Sequence, residues 1–460
     1  MSTPYRLWEI QERSNTGPQC EEDEFLSKIF SPTLQKIVKK YEIKYNPKTP
    51  VPADDDLADR VWKAGWELFQ EVGLYNTDTH RIIKVSDDEI KEALYVAKDQ
   101  YWVGAGKDAV LWKHRKIEDR EPPFCLFSPD CTCSEELHYS MCLAYLKEPL
   151  LDGFCAPILE DSIGLKIRSG SPFEINACTQ HIYNLRLAAK QVGRPGVFLV
   201  AVGTAEHDSG QIAVSNEKWG VRTTDSRLVG TMTEFKTADT LLNRVVHCAQ
   251  YGCYVGNLTG PIYGGWCGGS EGVAVTLVAY SLNGLCIHGA IYNLHFPFHL
   301  NLASNTTREL LWPIAVAGQA MARNSKLLYK SGGYTNAGPM TEMVFYEAAC
   351  HALVSTVNSW HLWEIGSARN KHRNRTTPLE ARIAMEVGHA VAGQGMTREE
   401  ANDIALRLLS IYEEQAATAP LGKEYQECYD VATALPTQEH FDMYRKIKDE
   451  LSNMGIEFLY

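Results

Sequence analysis

Gly193-Arg194-Pro195-Gly196-Val197-Phe198-Leu199-Val200-Ala201-Val202 decides how this chain is read. A Gly-Arg-Pro-Gly turn runs directly into six apolar residues with no polar alternation, the pattern of a strand buried on both faces. Short apolar runs of the same kind recur at 124–127, 153–158, 254–258, 285–294 and 361–365. Weaker stretches at 221–224 and 333–335 complete a set of eight. Amphipathic segments at 172–192, 235–251 and 340–358 lie between them. Strands alternating with helices argue for a parallel sheet, and eight such units predict a closed (β/α)8 barrel of the TIM type. A doubly wound open sheet is the alternative, but its usual Gly-x-Gly-x-x-Gly phosphate loop is absent.

The flanks read as helical. Residues 1–120 form an N-terminal helical extension. There Asp54-Asp55-Asp56 opens a helix with Leu57, Val61, Ala64, Trp66 and Phe69 at helical spacing, and Ser86-Asp87-Asp88-Glu89 is a capping box. Residues 121–377 are the barrel core, and 378–460 return to helices packed on it. The glycine-rich stretch Gly264-Gly265-Trp266-Cys267-Gly268-Gly269 reads as a loop, either merely flexible or shaped so that backbone approaches a ligand or a docking cofactor.

Composition narrows the function. The net charge of −12 disfavours nucleic acid and anionic membranes as partners. No charged n-region with an apolar h-region opens the chain, and no apolar run of about 18 residues occurs, so the expectation is a cytoplasmic protein without a membrane span. The thirteen cysteines read as free thiols. Cys125, Cys131 and Cys133 form the one tight group, in a spacing that matches no standard zinc site, and no metal is expected.

Blocks along most of the chain carry a specific likeness. They are Tyr75-Asn76-Thr77-Asp78-Thr79-His80-Arg81, Gly193-Arg194-Pro195-Gly196, Ala337-Gly338-Pro339-Met340-Thr341-Glu342-Met343, Leu379-Glu380-Ala381-Arg382, Ala419-Pro420-Leu421-Gly422-Lys423 and Gln426-Glu427-Cys428-Tyr429-Asp430. In order and spacing they resemble the monomethylamine:corrinoid methyltransferases of methanogens. That resemblance implies a TIM barrel, a homo-oligomer (trimer or hexamer), no cofactor bound tightly by this chain, and a partner corrinoid protein whose cob(I)alamin-type cobalt docks over the barrel mouth. In the family, pyrrolysine binds the amine at the end of the third strand; here the resemblance puts Val200 at that position. The family's supporting glutamates and glutamine correspond to Leu228, Leu258 and a position within Ser331-Gly332-Gly333. A coherent loss of one site points to a different substrate.

Without that adduct, three chemical routes remain. A quaternary ammonium or sulfonium donor carries its own activation and needs an aromatic, partly apolar cage. Tyr254, Tyr263, Trp266, Tyr292, Phe296, Tyr334 and Trp363 are available for it, beside Val200, Val202, Leu228 and Leu258. A general acid could protonate the leaving atom, with Asp225, His295, His299 and Glu342 as candidates. A zinc ion could activate a methoxy or methylthio donor, with Cys267 and Cys286 as ligands. No single catalytic residue is assigned. The substrate expected is a small methylated amine, quaternary rather than monomethylamine; a barrel that binds a small ligand without turnover is the rival. His80 and Arg81 read as structural, with Asp78 or Thr79 capping the turn they follow.

Overall fold

The structure, a computed structural model, describes residues 4–200 and 203–459. Val202 and Ala201 therefore lie outside the described residues. Eight parallel strands form its centre: β1 Leu126–Phe127, β2 Gly153–Phe154, β3 Phe198–Leu199, β4 Ser226–Thr231, β5 Tyr254–Thr259, β6 Tyr292–His295, β7 Leu328–Tyr334 and β8 His361–Gly366. The first three make one sheet, in the order β3-β2-β1, and the other five a second sheet, in the order β4-β5-β6-β7-β8. A single parallel bridge, Val200 to Ser226, joins β3 to β4, and another, Cys125 to Leu362, joins β1 to β8. The fold is α/β.

Helices flank these strands. Ahead of β1 come α1 Pro4–Thr16, α2 Ser31–Lys40, α3 Asp55–Val72 and α4 Asp87–Val96; after the strands, in turn, come α5 Glu135–Leu146, α6 Pro172–Gln191, α7 Asp208–Ala213, α8 Asp239–Tyr251, α9 Ser270–Asn283, α10 Arg308–Asn324, α11 Glu342–Val357 and α12 Pro378–Gln394. Two more, α13 Arg398–Tyr412 and α14 Gln438–Asn453, end the chain's helical content. Local chemistry sets their starts. Asp54 caps α3 by accepting from the Leu57 amide, and Ser86 and Glu89 close a capping box on α4. Thr377 and Glu380 do the same for α12, with Pro378 in its first turn. Helix α3 buries Leu57, Val61, Ala64, Leu68 and Phe69 in a core it shares with α9 and α10. The stretch Ser270–His288 is long and apolar enough to cross a membrane, yet 89% of it is buried inside the protein.

The N-terminal region also contains two hairpins that helical periodicity does not reveal. Leu74–Asn76 and Arg81–Ile83 form one, and its first strand pairs in parallel with Lys236–Thr237 in the loop after β4. Asp78 caps α8 there, accepting from the Asp239 amide at 2.7 Å, while Tyr75 Oη meets His80 Nδ1 at 2.9 Å. Gln100–Val103 and Val110–Lys113 form the other. Its loop explains the Gly-Arg-Pro-Gly turn: a Cβ on Gly196 would lie 1.9 Å from the Ala105 carbonyl oxygen. The loop and turn lie that close, so the Gly196 carbonyl accepts from the Ala105 amide at 2.8 Å.

Three strands differ from their sequence reading. The fourth lies at Ser226–Thr231, just beyond 221–224, because buried Arg227 and Gly230 break its apolar run. The seventh spans Leu328–Tyr334, of which 333–335 caught only the end; Lys330 and two glycines sit in a strand that is buried throughout. The sixth begins at Tyr292, because Gly284–His288 continues α9 as a π-helical turn.

Candidate active site at the strand ends

Alternation along the strands sorts side chains into an inner and an outer set. On β4, Leu228 packs against an inner cluster and Ser226 bonds its Tyr292, whereas Val229 packs outward with Val245 and Cys248 of α8. The inner cluster also contains Phe124, Leu126, Cys155, Phe198, Val200, Tyr292, Leu294, Leu328 and Trp363, with Leu228, Leu258 and Phe296 packed against it. Val200, Leu228, Leu258, Tyr292 and Trp363 are thus brought together from five strands.

Toward the N-terminal ends of the strands this interior is closed. Trp112, from the 100–113 hairpin, stacks on Phe124 with centroids 4.5 Å apart and tilts against Tyr292 at 4.8 Å. Among these rings lies the fully buried ammonium of Lys330, 4.4 Å from the Trp112 ring centre, 4.5 Å from Phe124, 5.4 Å from Trp363 and 6.0 Å from Tyr292. Tyr292 is also held by Ser226, oxygen to oxygen at 2.9 Å. Tyr292 and Trp363 therefore surround a cation that the chain itself supplies. Tyr254 is remote as well, donating to the Trp102 carbonyl at 3.0 Å.

Toward the C-terminal ends the interior opens. A Cβ built on Gly230 would find no heavy atom within 4 Å, and Leu258, its register partner on β5, is half-buried, as are Leu228 and Phe296. The Phe296 ring tilts against Tyr334 at 5.5 Å. Tyr334 Oη in turn donates to the Asp130 carboxylate, which also accepts from Asn370 Nδ2 at 3.1 Å. Apolar wall, two aromatic rings and one carboxyl group converge around an open end.

The polar candidates lie elsewhere. His295 points outward between sheet and helices, bonded to Thr259 Oγ1 at 2.6 Å and Ser281 Oγ at 2.8 Å, and burial pushes its imidazole down to about 3. Asp225, fully buried before β4, binds Arg186 at 2.5 Å, Arg222 at 3.0 Å and the Leu199 amide at 3.0 Å, and so ties β3 to β4. Glu342 begins α11 and pairs with Lys446 on the surface. The Tyr263 and His299 rings tilt against each other at 4.9 Å on the rim, where Ile262–Tyr263 pairs with Phe298–His299. Trp266 stands 46% exposed on the glycine loop. Cys267 is buried beneath it against Thr276, whereas Cys286 lies past the other end of α9. Among the described residues, no group of three or more His, Cys, Asp or Glu side chains is placed to hold a metal.

Sequence reasoning missed Gly230, Asp130, Lys330 and Glu234. The last accepts from the Ile262 amide at 3.0 Å and Tyr280 Oη at 2.5 Å, and burial lifts its carboxyl to about 7. Glu234 braces the rim. The one advance signal for any of them was the polar residue or glycine interrupting an apolar run.

Residues 5–456 match the family model for monomethylamine methyltransferase MtmB. The chain belongs to the MtmB family. It is 30% identical to the Methanosarcina mazei monomethylamine methyltransferase over 460 residues, covering 99% of both chains, and 30% identical to one from Methanosarcina barkeri over 457 residues, again covering 99% of each. The crystal structure of the Methanosarcina barkeri MtmB superposes with a TM-score of 0.94 at 29% identity and 98% coverage of each chain. A second crystal structure, the hydroxylamine MtmB complex, superposes with the same score. Membership of the MtmB family makes this chain a methyltransferase.

Proposed function

We propose that this member of the MtmB family moves a methyl group from a small methylated amine, of the quaternary N-methyl ammonium class, to the Co(I) of a corrinoid carried by a partner protein. The reading takes the eight strands as one closed (β/α)8 barrel, joined through the Val200 and Cys125 bridges, with the partner docking over the C-terminal strand ends. The observation that carries it is the opening beside Gly230, where Leu228 and Leu258 supply an apolar wall and Phe296 and Tyr334 supply rings.

The energetics favour a donor that arrives already activated. Co(I) attacks the methyl carbon, the C–N bond breaks, and nitrogen keeps the electron pair. From a quaternary ammonium the departing group is a neutral tertiary amine, so no proton has to be delivered. By resemblance Val200 stands where the family carries pyrrolysine, and its short, buried side chain offers no adduct. Monomethylammonium would lose hydration at an apolar wall and gain little in return. Aromatic faces recover roughly 0.5–2 kcal/mol each for a desolvated quaternary cation.

The test mixes the protein with a reduced corrinoid partner protein and a donor panel of quaternary amines, methylamines, methoxy and methylthio compounds. Methylcobalt absorbance is expected with quaternary donors. Efficient turnover of monomethylamine, or transfer only from methoxy or methylthio compounds, would overturn the substrate class.

A further inference from the structure

The carboxyl at the open end has a geometry that helix and strand packing do not require. Asp130 follows β1 with a left-handed φ of 41°, and its amide donates to Ser128 Oγ at 3.0 Å. Left-handed backbone at a residue other than glycine is uncommon and is kept where the surroundings impose it. Oδ2 accepts from both Tyr334 Oη and Asn370 Nδ2. These two donors come from β7 and from the turn after β8, so one oxygen gathers three consecutive strand ends. Oδ1 accepts no bond among the described residues, and the side chain is half-buried.

Two other carboxyls near these strand ends, Glu347 and Glu234, are committed to the scaffold. Glu347 is wholly buried and accepts from Thr306 Oγ1 at 2.5 Å, the Asn336 amide at 2.8 Å and the Ala337 amide at 2.9 Å. Glu234 is wholly buried under the rim. Asp130 differs because one oxygen is fixed while the other is left over, next to the Tyr334 ring that packs on Phe296.

We propose that Asp130 is the counter-ion for the cationic head of the substrate: Tyr334 and Asn370 hold its carboxylate at the strand ends, with Oδ1 presented to a methylated ammonium seated against Phe296 and Tyr334. This rests on the reading of the open strand ends as the substrate site. It narrows the substrate class, since a neutral methoxy or methylthio compound would leave the carboxylate without a partner. Burial pushes the Asp130 carboxyl up and the Tyr334 hydroxyl draws it back. A bound cation favours the ionised form further, so affinity falls as pH drops through that raised value.

The experiment measures binding by calorimetry on the full chain with no corrinoid present. Choline and its carbon isostere 3,3-dimethylbutan-1-ol serve as probes, differing in charge but hardly in shape. The wild type should bind choline more tightly than the isostere, and Asp130→Asn should weaken choline about tenfold while leaving the isostere within about twofold. Asp130→Glu, which keeps the charge, should restore part of the loss. Equal affinity of the wild type for both probes, no binding of choline, or an equal loss of both in Asp130→Asn would overturn the proposal. Methyl transfer is absent from this assay, so charge-selective binding without turnover would sink the methyltransferase reading of the substrate and spare this one. Turnover of quaternary donors that is unchanged in Asp130→Asn would do the reverse.

Discussion

The two ends of the strands use the same chemistry with opposite outcomes. At the N-terminal ends, Trp112, Phe124, Tyr292 and Trp363 surround an ammonium that belongs to Lys330. At the C-terminal ends, Phe296 and Tyr334 pack on each other, a carboxyl stands beside them, and Gly230 leaves space. Aromatic residues around a cation are therefore not in themselves a binding site. What separates the ends is who supplies the charge: at one the chain has filled its own cage, and at the other it has kept a carboxyl and an unfilled volume.

The largest effect should come from breaking the closed end. Trp112→Ala removes the ring on which Phe124, Tyr292 and Lys330 converge and should cost about 3–5 kcal/mol of stability, read as a lowered denaturation midpoint in urea. A loss under 1 kcal/mol would show the plug to be dispensable. At the open end, Gly230→Leu should lower kcat/KM for a quaternary donor by about 100-fold, equivalent to about 2.7 kcal/mol, by filling the space. Its melting temperature should scarcely change, and normal turnover would place the substrate elsewhere.

Between these lies a pH effect at the rim. Burial raises Glu234 from 4.5 to about 7, so over that interval the folded chain holds a proton that the unfolded chain releases. Stability should then fall as pH rises, by up to about 1.4 kcal/mol per pH unit, and level off above the folded value. Comparing Glu234→Gln with wild type in thermal melts from pH 5 to 8 isolates this slope from the buried histidines; parallel curves would refute it. The smallest effect is expected of Lys330→Met on catalysis. If the floor cation serves packing alone, methyl transfer should stay within about twofold while the melting temperature shifts. A larger fall in kcat would make the two ends electrostatically continuous.

The same residues explain what the sequence made legible. Apolar runs such as 197–200 announce strands because nothing polar interrupts them, and helix starts at Asp54 and Ser86 follow from local capping. Strands four and seven were nearly hidden by Arg227, Gly230, Lys330, Gly332 and Gly333. Arg227 is buried because Nη2 donates to the Gln211 carbonyl at 3.1 Å and Ser215 Oγ at 2.8 Å, and Lys330 because rings surround it. Neither partnership is local in sequence. Asp130 escaped for the same reason: its hydroxyl partner, Tyr334, lies 204 residues away. Pattern reading finds elements whose stability is local, and it passes over groups whose meaning depends on a distant neighbour.

Trp112 carries a consequence for the order in which the molecule is made. It leaves the ribosome roughly 200 residues before Lys330, yet its burial requires strands from the far end of the chain, a long-range closure of the kind that slows folding. Until β6, β7 and β8 are synthesised, the indole has Phe124 and Phe198 for company but no lysine or Tyr292 to complete its surroundings. The nascent chain must therefore carry an incompletely covered stopper for nearly half of its synthesis, and a translation product that stops short of β7 would keep it so for good.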